Sequence, residues 1–353
     1  MKGYPMTLSI EEIRAARQAA PKARPRDLAR DLGVPEAALC AARIGQGATR
    51  IDVAPDALIP RLTALGPVMA LTRNESCVIE KVGVYDDYRS GAHAALVVNA
   101  EIDLRLFPAH WVQGFALEEE TAQGVKRSVQ IFDAAGDAIH KIHLRDESDA
   151  AQWPGLVDAL RLPDQNPVLH YAPRKPTEVA KLNPGKLDEL RAGWEALEDT
   201  HQFLRLCSKL KMNRLGAYRL AGAPFVRPLA NQAVEQLLHH AAQQAVPIMV
   251  FVGNAGCIEI HTGPIQRVVE TGAWINVLDP GFDLHLRRDH IAETYAVVKN
   301  TARGPAHSVE FFDAEGGLIA QIFGVLRAGE AAVMGWNSLV ADLPDAAQME
   351  AAQ

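Results

Sequence analysis

The feature of this 353-residue chain that most constrains its fold is an internal duplication. At a constant offset of 180 residues the second half repeats the first without a gap, as Cys257 repeats Cys77. Further matched pairs are Gly83 with Gly263, His110 with His290, Phe132 with Phe312, and Gly136 with Gly316. Self-similarity at a fixed offset is the signature of repeated structural units. The chain is therefore predicted to form two copies of one α+β unit, in which helices precede an antiparallel meander.

Short apolar runs separated by turns predict the strands of the first copy. These runs span residues 68–71, 77–79, 94–98, 102–107 and 127–132. Residues 133–136 contain the Asp and Gly of a hairpin turn, whereas residues 111–119 fit a strand or irregular structure equally well. Residues 10–20 are predicted to form an amphipathic helix and residues 336–343 a short closing helix.

Residues 25–39 have the pattern of a helix-turn-helix motif, with Gly33 in the turn and Pro35 at the start of the second helix. A DNA reader needs donors for base edges on that second helix, and residues 36–42 offer almost none. The formal net charge of -7 also argues against general nucleic-acid binding. A packed helical hairpin is therefore favoured over a DNA-binding motif.

A proline-rich connector is predicted at residues 161–186, between an N-terminal repeat at 1–160 and a C-terminal repeat at 187–353. Proline is incompatible with a long helix or a central strand, so the connector is expected to lie on the surface. The sequence shows neither a bilayer-spanning apolar run nor a signal peptide. The four scattered cysteines have no metal-site spacing and predict reduced thiols in a cytoplasmic protein.

His201 continues an apolar stripe at helical spacing. The stripe consists of Leu187, Leu190, Trp194, Leu197 and Leu204. His201 is therefore expected on the buried face of a helix, where an imidazole needs a hydrogen-bond partner or a metal. The neighbouring sequence offers only Glu198 as a partner, and a satisfied core histidine is one reading. The other reading is a metal ligand. It is favoured because the equivalent residue in the first copy is Ala23, so the imidazole occurs in one copy only.

Signatures of common hydrolases and nucleotide-binding sites are absent from the sequence. Four segments instead resemble the HemS/ChuS/PhuS family of bacterial cytoplasmic haem proteins, in order along nearly the whole chain. They are residues 66–78 with Gly83, 103–107, 199–203 and 249–254. The resemblance implies two stacked repeats, each with a large antiparallel sheet and flanking helices. It also implies one haem b (iron protoporphyrin IX) beside the C-terminal repeat, reached by a residue of the N-terminal repeat.

The resemblance assigns roles to individual residues. His201 matches the proximal iron ligand, Arg105 matches a distal-side arginine that acts through water, and Phe251 matches an aromatic residue that lines the pocket. Some members carry a histidine where this chain has Ile79, which removes one candidate for a second ligand. Arg105 lies between Leu104 and Leu106, so on a strand it faces away from both leucines.

Further matched residues belong to the propionate side of the pocket. Lys299 matches a residue near the propionates, although without the resemblance it would be read as a surface lysine. Gln321 and Phe323 match a pocket segment that a basic residue normally follows. Arg327 comes about one position late, so its propionate role is left open. Apolar walls with cations at one edge suit haem, which is flat and apolar except for two carboxylates.

Three functions are compatible with these residues. The first is a carrier that accepts imported haem and passes it on, with a haem oxygenase or an inner-membrane haem importer as partner. The second is an enzyme that opens the macrocycle with Arg105 on the distal side and electrons from an external donor. A DNA-binding regulator is a distant third. Neither stable nucleic-acid binding nor membrane insertion is expected.

Overall fold

The structure is a computed structural model and describes residues 8–346. The helices are α1 (Ile10–Ala19), α2 (Pro25–Leu32), α3 (Glu36–Ala41), α4 (Pro55–Leu62), α5 (Trp153–Leu160), α6 (Leu187–Glu195), α7 (Gln202–Lys209), α8 (Arg214–Ala221), α9 (Ala233–Gln243) and α10 (Glu330–Ala341). The first strands are β1 (Ala48–Arg50), β2 (Val68–Arg73), β3 (Cys77–Gly83), β4 (Tyr88–Arg89), β5 (Ala95–Val98), β6 (Asp103–Leu106), β7 (Gln113–Thr121), β8 (Gly124–Phe132) and β9 (Ala138–Leu144). The later strands are β10 (Val226–Leu229), β11 (Ile248–Gly253), β12 (Cys257–Gly263), β13 (Val268–Thr271), β14 (Trp274–Asp279), β15 (Phe282–Arg287), β16 (Glu293–Lys299), β17 (Ala306–Phe312) and β18 (Leu318–Gly324).

The α+β class and the duplication predicted from the sequence are confirmed. Every predicted strand of the first copy is present, and the undecided residues 111–119 contribute to β7. The predicted hairpin turn joins β8 to β9, with the Gly136 N–H donating to Asp133 O at 3.1 Å and a Gly136 φ of 82°. Glycine adopts this left-handed conformation without strain. The closing helix is present as α10, which begins six residues earlier than predicted.

The chain divides into two compact units. The N-terminal unit comprises the described residues up to Arg73, Ile79–Lys175 and Gly253–Glu259, and the C-terminal unit comprises Asn74–Val78, Pro176–Val252 and the described residues from Ile260. Each unit thus includes a short turn from the other half of the sequence. The boundary between Lys175 and Pro176 falls inside the predicted connector.

Two equivalent asparagines hold these short turns. In the N-terminal unit the side-chain amide of Asn254 donates to Arg73 O at 2.9 Å and to Ile139 O at 2.8 Å. In the C-terminal unit Asn74 donates to Ile319 O at 2.8 Å. The pairs Asn74 with Asn254 and Ile139 with Ile319 both keep the 180-residue offset. The duplication therefore extends to the hydrogen bonds of the turns.

The N-terminal unit contains an antiparallel sheet in the strand order β1–β7–β8–β9–β2 and an antiparallel group β4–β5–β6. Along β2 the buried residues are Val68, Ala70 and Thr72, which alternate with half-buried ones. This alternation is that of a strand with one face on the core. The core beneath it includes α4 and α5.

The helical hairpin is packed, as favoured from the sequence. The α2 helix ends at Gly33 with a φ of 66°, and all six residues of α3 are buried. The buried carboxylate of Glu36 accepts a hydrogen bond from Lys141 Nζ at 2.5 Å and forms an ion pair with Arg73. Because α3 has no exposed face for base edges, it cannot serve as a recognition helix in this conformation.

Part of the connector belongs to the core of the N-terminal unit. Residues 162–183 form no helix or strand, as predicted. Leu169 and Tyr171 are nevertheless buried with α2 and α3, and the Ala172 N–H donates to Ala134 O at 2.7 Å. The purely surface location expected of the connector is therefore wrong for these residues, because an extended chain can still bury alternate side chains.

The C-terminal unit contains an antiparallel sheet in the order β10–β16–β17–β18–β11 and a second group β13–β14–β15. Helix α10 packs on β17 and β18, where Trp336 Nε1 donates to His307 O at 2.9 Å. A Cβ at Gly324 would lie 2.4 Å from the Trp336 ring, so glycine permits this close approach. Within residues 8–346, no helix combines the length and apolar character needed to cross a bilayer.

One buried carboxyl in the N-terminal unit stands out in an apolar core. Glu259 is fully buried, and among the described residues neither of its carboxyl oxygens has a hydrogen-bond partner. Its nearest imidazole atom is His140 Nδ1 at 3.9 Å. Burial raises the pKa of Glu259 to about 8 and lowers that of His140 to about 3. Its counterpart in the other copy is Ile79, so the carboxyl occurs in one copy only.

Replacing Glu259 with glutamine is expected to stabilise the protein by on the order of 2 kcal/mol at pH 7. A glutamate whose folded-state pKa is raised costs stability between its unfolded pKa and its folded pKa, because folding then requires proton uptake. The gain should therefore be small at pH 5 and grow up to pH 8. Urea unfolding at several pH values, with exposed Glu120→Gln as control, measures it. A gain that does not depend on pH would contradict this account.

Candidate functional site in the C-terminal unit

Four of the predicted site residues lie on one face of the C-terminal sheet. Cross-strand partners share a face, and so do residues two apart along a strand. Phe251 pairs with Gln321, and Phe323 lies two residues beyond Gln321. Gln321 also pairs with Glu310, whose carboxylate contacts Lys299 at 2.6 Å. The resemblance-based residues of β11, β16 and β18 are thus brought to the same side of one sheet.

This sheet face is covered over one part and half-open over another. Over β16 and β17 it is buried against α6, α7 and α8 in a core that includes Trp194, Phe203 and Tyr218. Over β18 and β11, by contrast, Phe251, Phe323, Gln321 and Met249 are all half-exposed. The rings of Phe251 and Phe323 lie edge to face with centroids 5.3 Å apart. A half-open aromatic surface of this kind suits a flat apolar ligand.

His201 does not lie on the buried face of a continuous helix, and that prediction is wrong. Helix α6 ends at Glu195, α7 begins at Gln202, and the His201 side chain is 88% exposed. The helix is interrupted because the Asp199 carboxylate accepts the His201 backbone N–H at 2.7 Å. Such a side-chain bond two residues ahead competes with helical hydrogen bonding. The apolar stripe resumes at buried Phe203, whereas Leu204 is exposed.

Asp199 also orients the His201 ring. His201 Nδ1 lies 2.6 Å from Asp199 Oδ1. The backbone hydrogen bond from His201, followed by the one from its side chain, lowers the pKa of Asp199, which keeps the carboxylate ionised. An ionised carboxylate can only accept, so Nδ1 carries a proton, and Nε2 is the nitrogen left to bind a metal. Asp199, and not the expected Glu198, is therefore the partner.

The turn that carries His201 is anchored at the end of β16. The Glu198 carbonyl accepts the Ala302 N–H at 2.8 Å, and the Glu195 carbonyl accepts the Asn300 side-chain amide at 2.9 Å. Trp194 Nε1 donates to Val298 O at 2.8 Å. These bonds fix both the end of α6 and the turn on the sheet whose face carries Phe251 and Phe323.

Lys299 is a core residue, so the surface location implied by sequence alone is wrong. Its side chain is 3% exposed, and Nζ donates to Glu310 at 2.6 Å and to the Tyr218 hydroxyl at 2.8 Å. Burial alone would raise the pKa of Glu310, but the cations of Lys299 and Arg214 outweigh it and hold that pKa at about 2. With two of its three N–H groups engaged and its side chain almost fully buried, Lys299 presents little of its ammonium to a ligand.

The two candidate arginines are placed differently. Arg105 lies on β6 of the N-terminal unit, with Leu104 and Leu106 buried on the opposite side of the strand. Its guanidinium forms an ion pair with Asp103 and donates to Leu104 O at 3.1 Å. Arg327 is exposed in the turn between β18 and α10. Arg327 thus comes shortly after the strand that carries Gln321 and Phe323.

Sequence reasoning missed two features of the site. The first is the Asp199 partner, although the spacing of Asp199 and His201 is itself a signal for an Asx-type turn. The second is the network around Glu310, which lies on β17 and joins Lys299 to Tyr218 and Arg214. No local pattern indicates this network, because its members come from three separate elements.

Fold and site together define a class: a duplicated α+β protein in which one unit presents both a carboxylate-oriented imidazole and a half-open aromatic sheet face. The chain belongs to the family described as "Haemin-degrading HemS.ChuX domain", whose model matches residues 33–160 and 211–343. The two matches confirm the duplication. Their starting positions differ by 178 residues, close to the offset seen in the meanders.

Several known proteins are similar over nearly the whole chain. The hemin transport protein HmuS of Yersinia pestis is 37% identical over 319 residues, which are 90% of this chain and 92% of that protein. The crystal structure of holo-PhuS, a heme-binding protein from Pseudomonas aeruginosa, is 43% identical with a TM-score of 0.91, covering 96% of this chain and 100% of PhuS. ChuS, described as an E. coli heme oxygenase, is 32% identical with a TM-score of 0.83, covering 93% and 98%.

Proposed function

We propose that this protein binds one haem b through the C-terminal unit and carries it to an acceptor after import. His201 supplies the single axial ligand to the iron through Nε2. The observation that carries the proposal is the exposed His201 ring, held by Asp199 through Nδ1, which leaves Nε2 to bind a metal. Neutral imidazole is a common axial ligand of haem iron.

Other residues of the C-terminal unit fit the rest of haem. Phe251 and Phe323 supply a half-open aromatic wall on the sheet face, and haem is mostly apolar. Arg327 supplies an exposed cation for a propionate at the end of β18. Arg105 is proposed as the distal residue of the N-terminal unit, acting through water. Lys299 is left out of the binding set, because Glu310 and Tyr218 already engage its ammonium.

The names of two relatives favour a carrier over an enzyme. HmuS and the HemS of Yersinia enterocolitica, at 37% and 38% identity, are both named hemin transport proteins. A single neutral protein ligand also leaves a site that can give up its cargo. The alternative is oxidative ring opening, the reaction of a heme oxygenase such as ChuS. It needs electrons from an external donor.

The proposed partners follow from the cargo. A carrier must take haem from an inner-membrane haem importer and deliver it to a reaction that consumes it, such as that of a haem oxygenase. We place this exchange in the cytoplasm. All four cysteines are buried free thiols, which suits a reducing compartment.

A haemin titration tests the proposal. The purified protein should develop a Soret band that saturates at one haemin per chain. When a reductant is then added under air with catalase present, the porphyrin absorption should persist if the protein is a carrier. Loss of that absorption with formation of tetrapyrrole products would instead establish the degrading enzyme. A protein that does not respond to haemin would overturn both functions.

A further inference from the structure

We infer that the Asp199 carboxylate makes the His201 site selective for ferric over ferrous haem, so that reduction of the iron favours its release. This inference rests on the proposed function and names a regulation of the same site. It assigns Asp199 as a positioning residue that acts through His201.

The geometry supports a strong and specific coupling between the two side chains. One oxygen atom, Asp199 Oδ1, accepts both the His201 backbone N–H at 2.7 Å and the His201 Nδ1–H at 2.6 Å. Bonds from N–H to a carboxylate at such distances are charge-assisted and stronger than neutral ones. The backbone bond fixes the position of the carboxylate, and the side-chain bond fixes the plane of the imidazole. The ring therefore cannot reorient without breaking the bond to Oδ1.

The charge of Asp199 reaches Nε2 through the ring. A carboxylate on Nδ1–H increases the basicity of the opposite nitrogen, the one free to bind a metal. A more electron-rich donor favours the oxidation state with the larger positive charge. Asp199 should therefore strengthen binding of the ferric state more than that of the ferrous state. Within residues 8–346, no other side chain hydrogen-bonds to both the backbone and the ring of His201.

The consequence for a carrier concerns the direction of transfer. One electron from a reductant such as a reduced flavin converts ferric to ferrous haem and weakens the bond to His201. Oxidative ring opening also needs a reductant, so the class of reaction that consumes the cargo would supply the electron that promotes its release. By thermodynamic linkage, the logarithm of the ratio of the two affinities sets the shift in the reduction potential of the bound haem relative to free haem, about 59 mV for each factor of ten.

The test compares Asp199→Asn with Glu198→Gln in the full-length protein. Asparagine keeps the shape and can still accept both bonds through Oδ1 but removes the charge, and exposed Glu198 provides a neighbouring carboxylate that does not hydrogen-bond to the ring. Dissociation constants are measured for haemin and, anaerobically with dithionite, for ferrous haem. Asp199→Asn should lower the ferric-to-ferrous affinity ratio about tenfold, which raises the midpoint potential by about 59 mV. Glu198→Gln should change neither quantity.

Two outcomes overturn the inference. An unchanged ratio for Asp199→Asn shows that the charge does not reach the iron, and equal weakening of both states shows that Asp199 only orients the ring. A second readout is the iron–imidazole stretching band of the ferrous protein in resonance Raman spectra, which should move to lower frequency in the variant. If His201→Ala loses ligation while Asp199→Asn is silent, this inference fails alone. If His201→Ala is silent, the proposed ligation fails.

Discussion

Replacing His201 with alanine is expected to weaken haemin binding by roughly 100-fold or more, about 2.7 kcal/mol, and to remove the optical signature of imidazole ligation. In the proposed site, His201 Nε2 is the only protein atom that bonds to the iron. The aromatic face of Phe251 and Phe323 should still hold porphyrin weakly, because apolar burial does not need the metal. Titration of both proteins with haemin, followed by absorption spectroscopy, measures the change.

The same substitution should leave the fold intact, because the His201 side chain is 88% exposed. Equal denaturation midpoints for the variant and the parent protein would separate lost ligation from lost structure. His170→Ala removes another exposed histidine and should bind haemin like the parent. The residues that follow His201 are Gln202, Phe203 and Leu204, so the α7 helix offers no second imidazole at its start. Unchanged affinity and spectrum in His201→Ala would therefore require a ligand elsewhere in the chain.

The duplication accounts for most of what the sequence could predict. A gap-free offset marks the two copies, the strand runs of the first copy, and the turns around Gly136 and Gly316. It also exposes exceptions, since an imidazole at His201 and a carboxyl at Glu259 occur in one copy only. A residue that occurs in only one of two copies with the same fold is not required by that fold, so its role must be sought elsewhere. The comparison of the copies singles out His201 as a candidate ligand, although the structure places its side chain in solvent and not on a buried helix face.

The mispredicted orientation has a local cause. Periodicity places Leu190, Trp194 and Leu197 correctly, since all three are buried, but the next residue of the stripe, Leu204, is exposed, and Phe203 is buried in its place. It cannot show that the Asp199 side chain captures a backbone N–H and interrupts the helix between Trp194 and Phe203. The short turns that each unit takes from the other half are similarly unpredictable, because a few residues carry no periodic pattern.

Replacing Lys299 with methionine is expected to destabilise the protein by about 3–5 kcal/mol, because it leaves the buried Glu310 carboxylate short of one cation. Arg214 remains at 2.7 Å from Glu310, and the Tyr218 hydroxyl donates at 2.7 Å. Neither replaces the lost charge. Chemical unfolding at pH 7 measures the change. Lys186→Met, which breaks an exposed ion pair with Glu189, should cost less than about 1 kcal/mol.

The acid limb of the stability curve gives an independent signature of this pair. Glu310 has a folded-state pKa of about 2 against an ordinary value of 4.5. A depressed carboxyl pKa contributes stability that is complete above pH 4.5 and is lost as the pH falls from 4.5 towards 2. In Lys299→Met one of the two cations that depress this pKa is gone. The acid-induced loss should therefore be smaller and should lie at higher pH than in the parent.

Haem affinity then decides between the two roles of Lys299. The network with Glu310 predicts that folded Lys299→Met binds haemin with parental affinity, whereas Arg327→Met, which removes an exposed cation next to β18, binds it more weakly at parental stability. A propionate contact at Lys299 instead predicts that folded Lys299→Met binds haemin more weakly. Because stability and affinity are measured separately, a lysine that serves the core is distinguished from one that serves the ligand. A stable Lys299→Met with weakened haemin binding would return Lys299 to the pocket and leave Glu310 to be stabilised by Arg214.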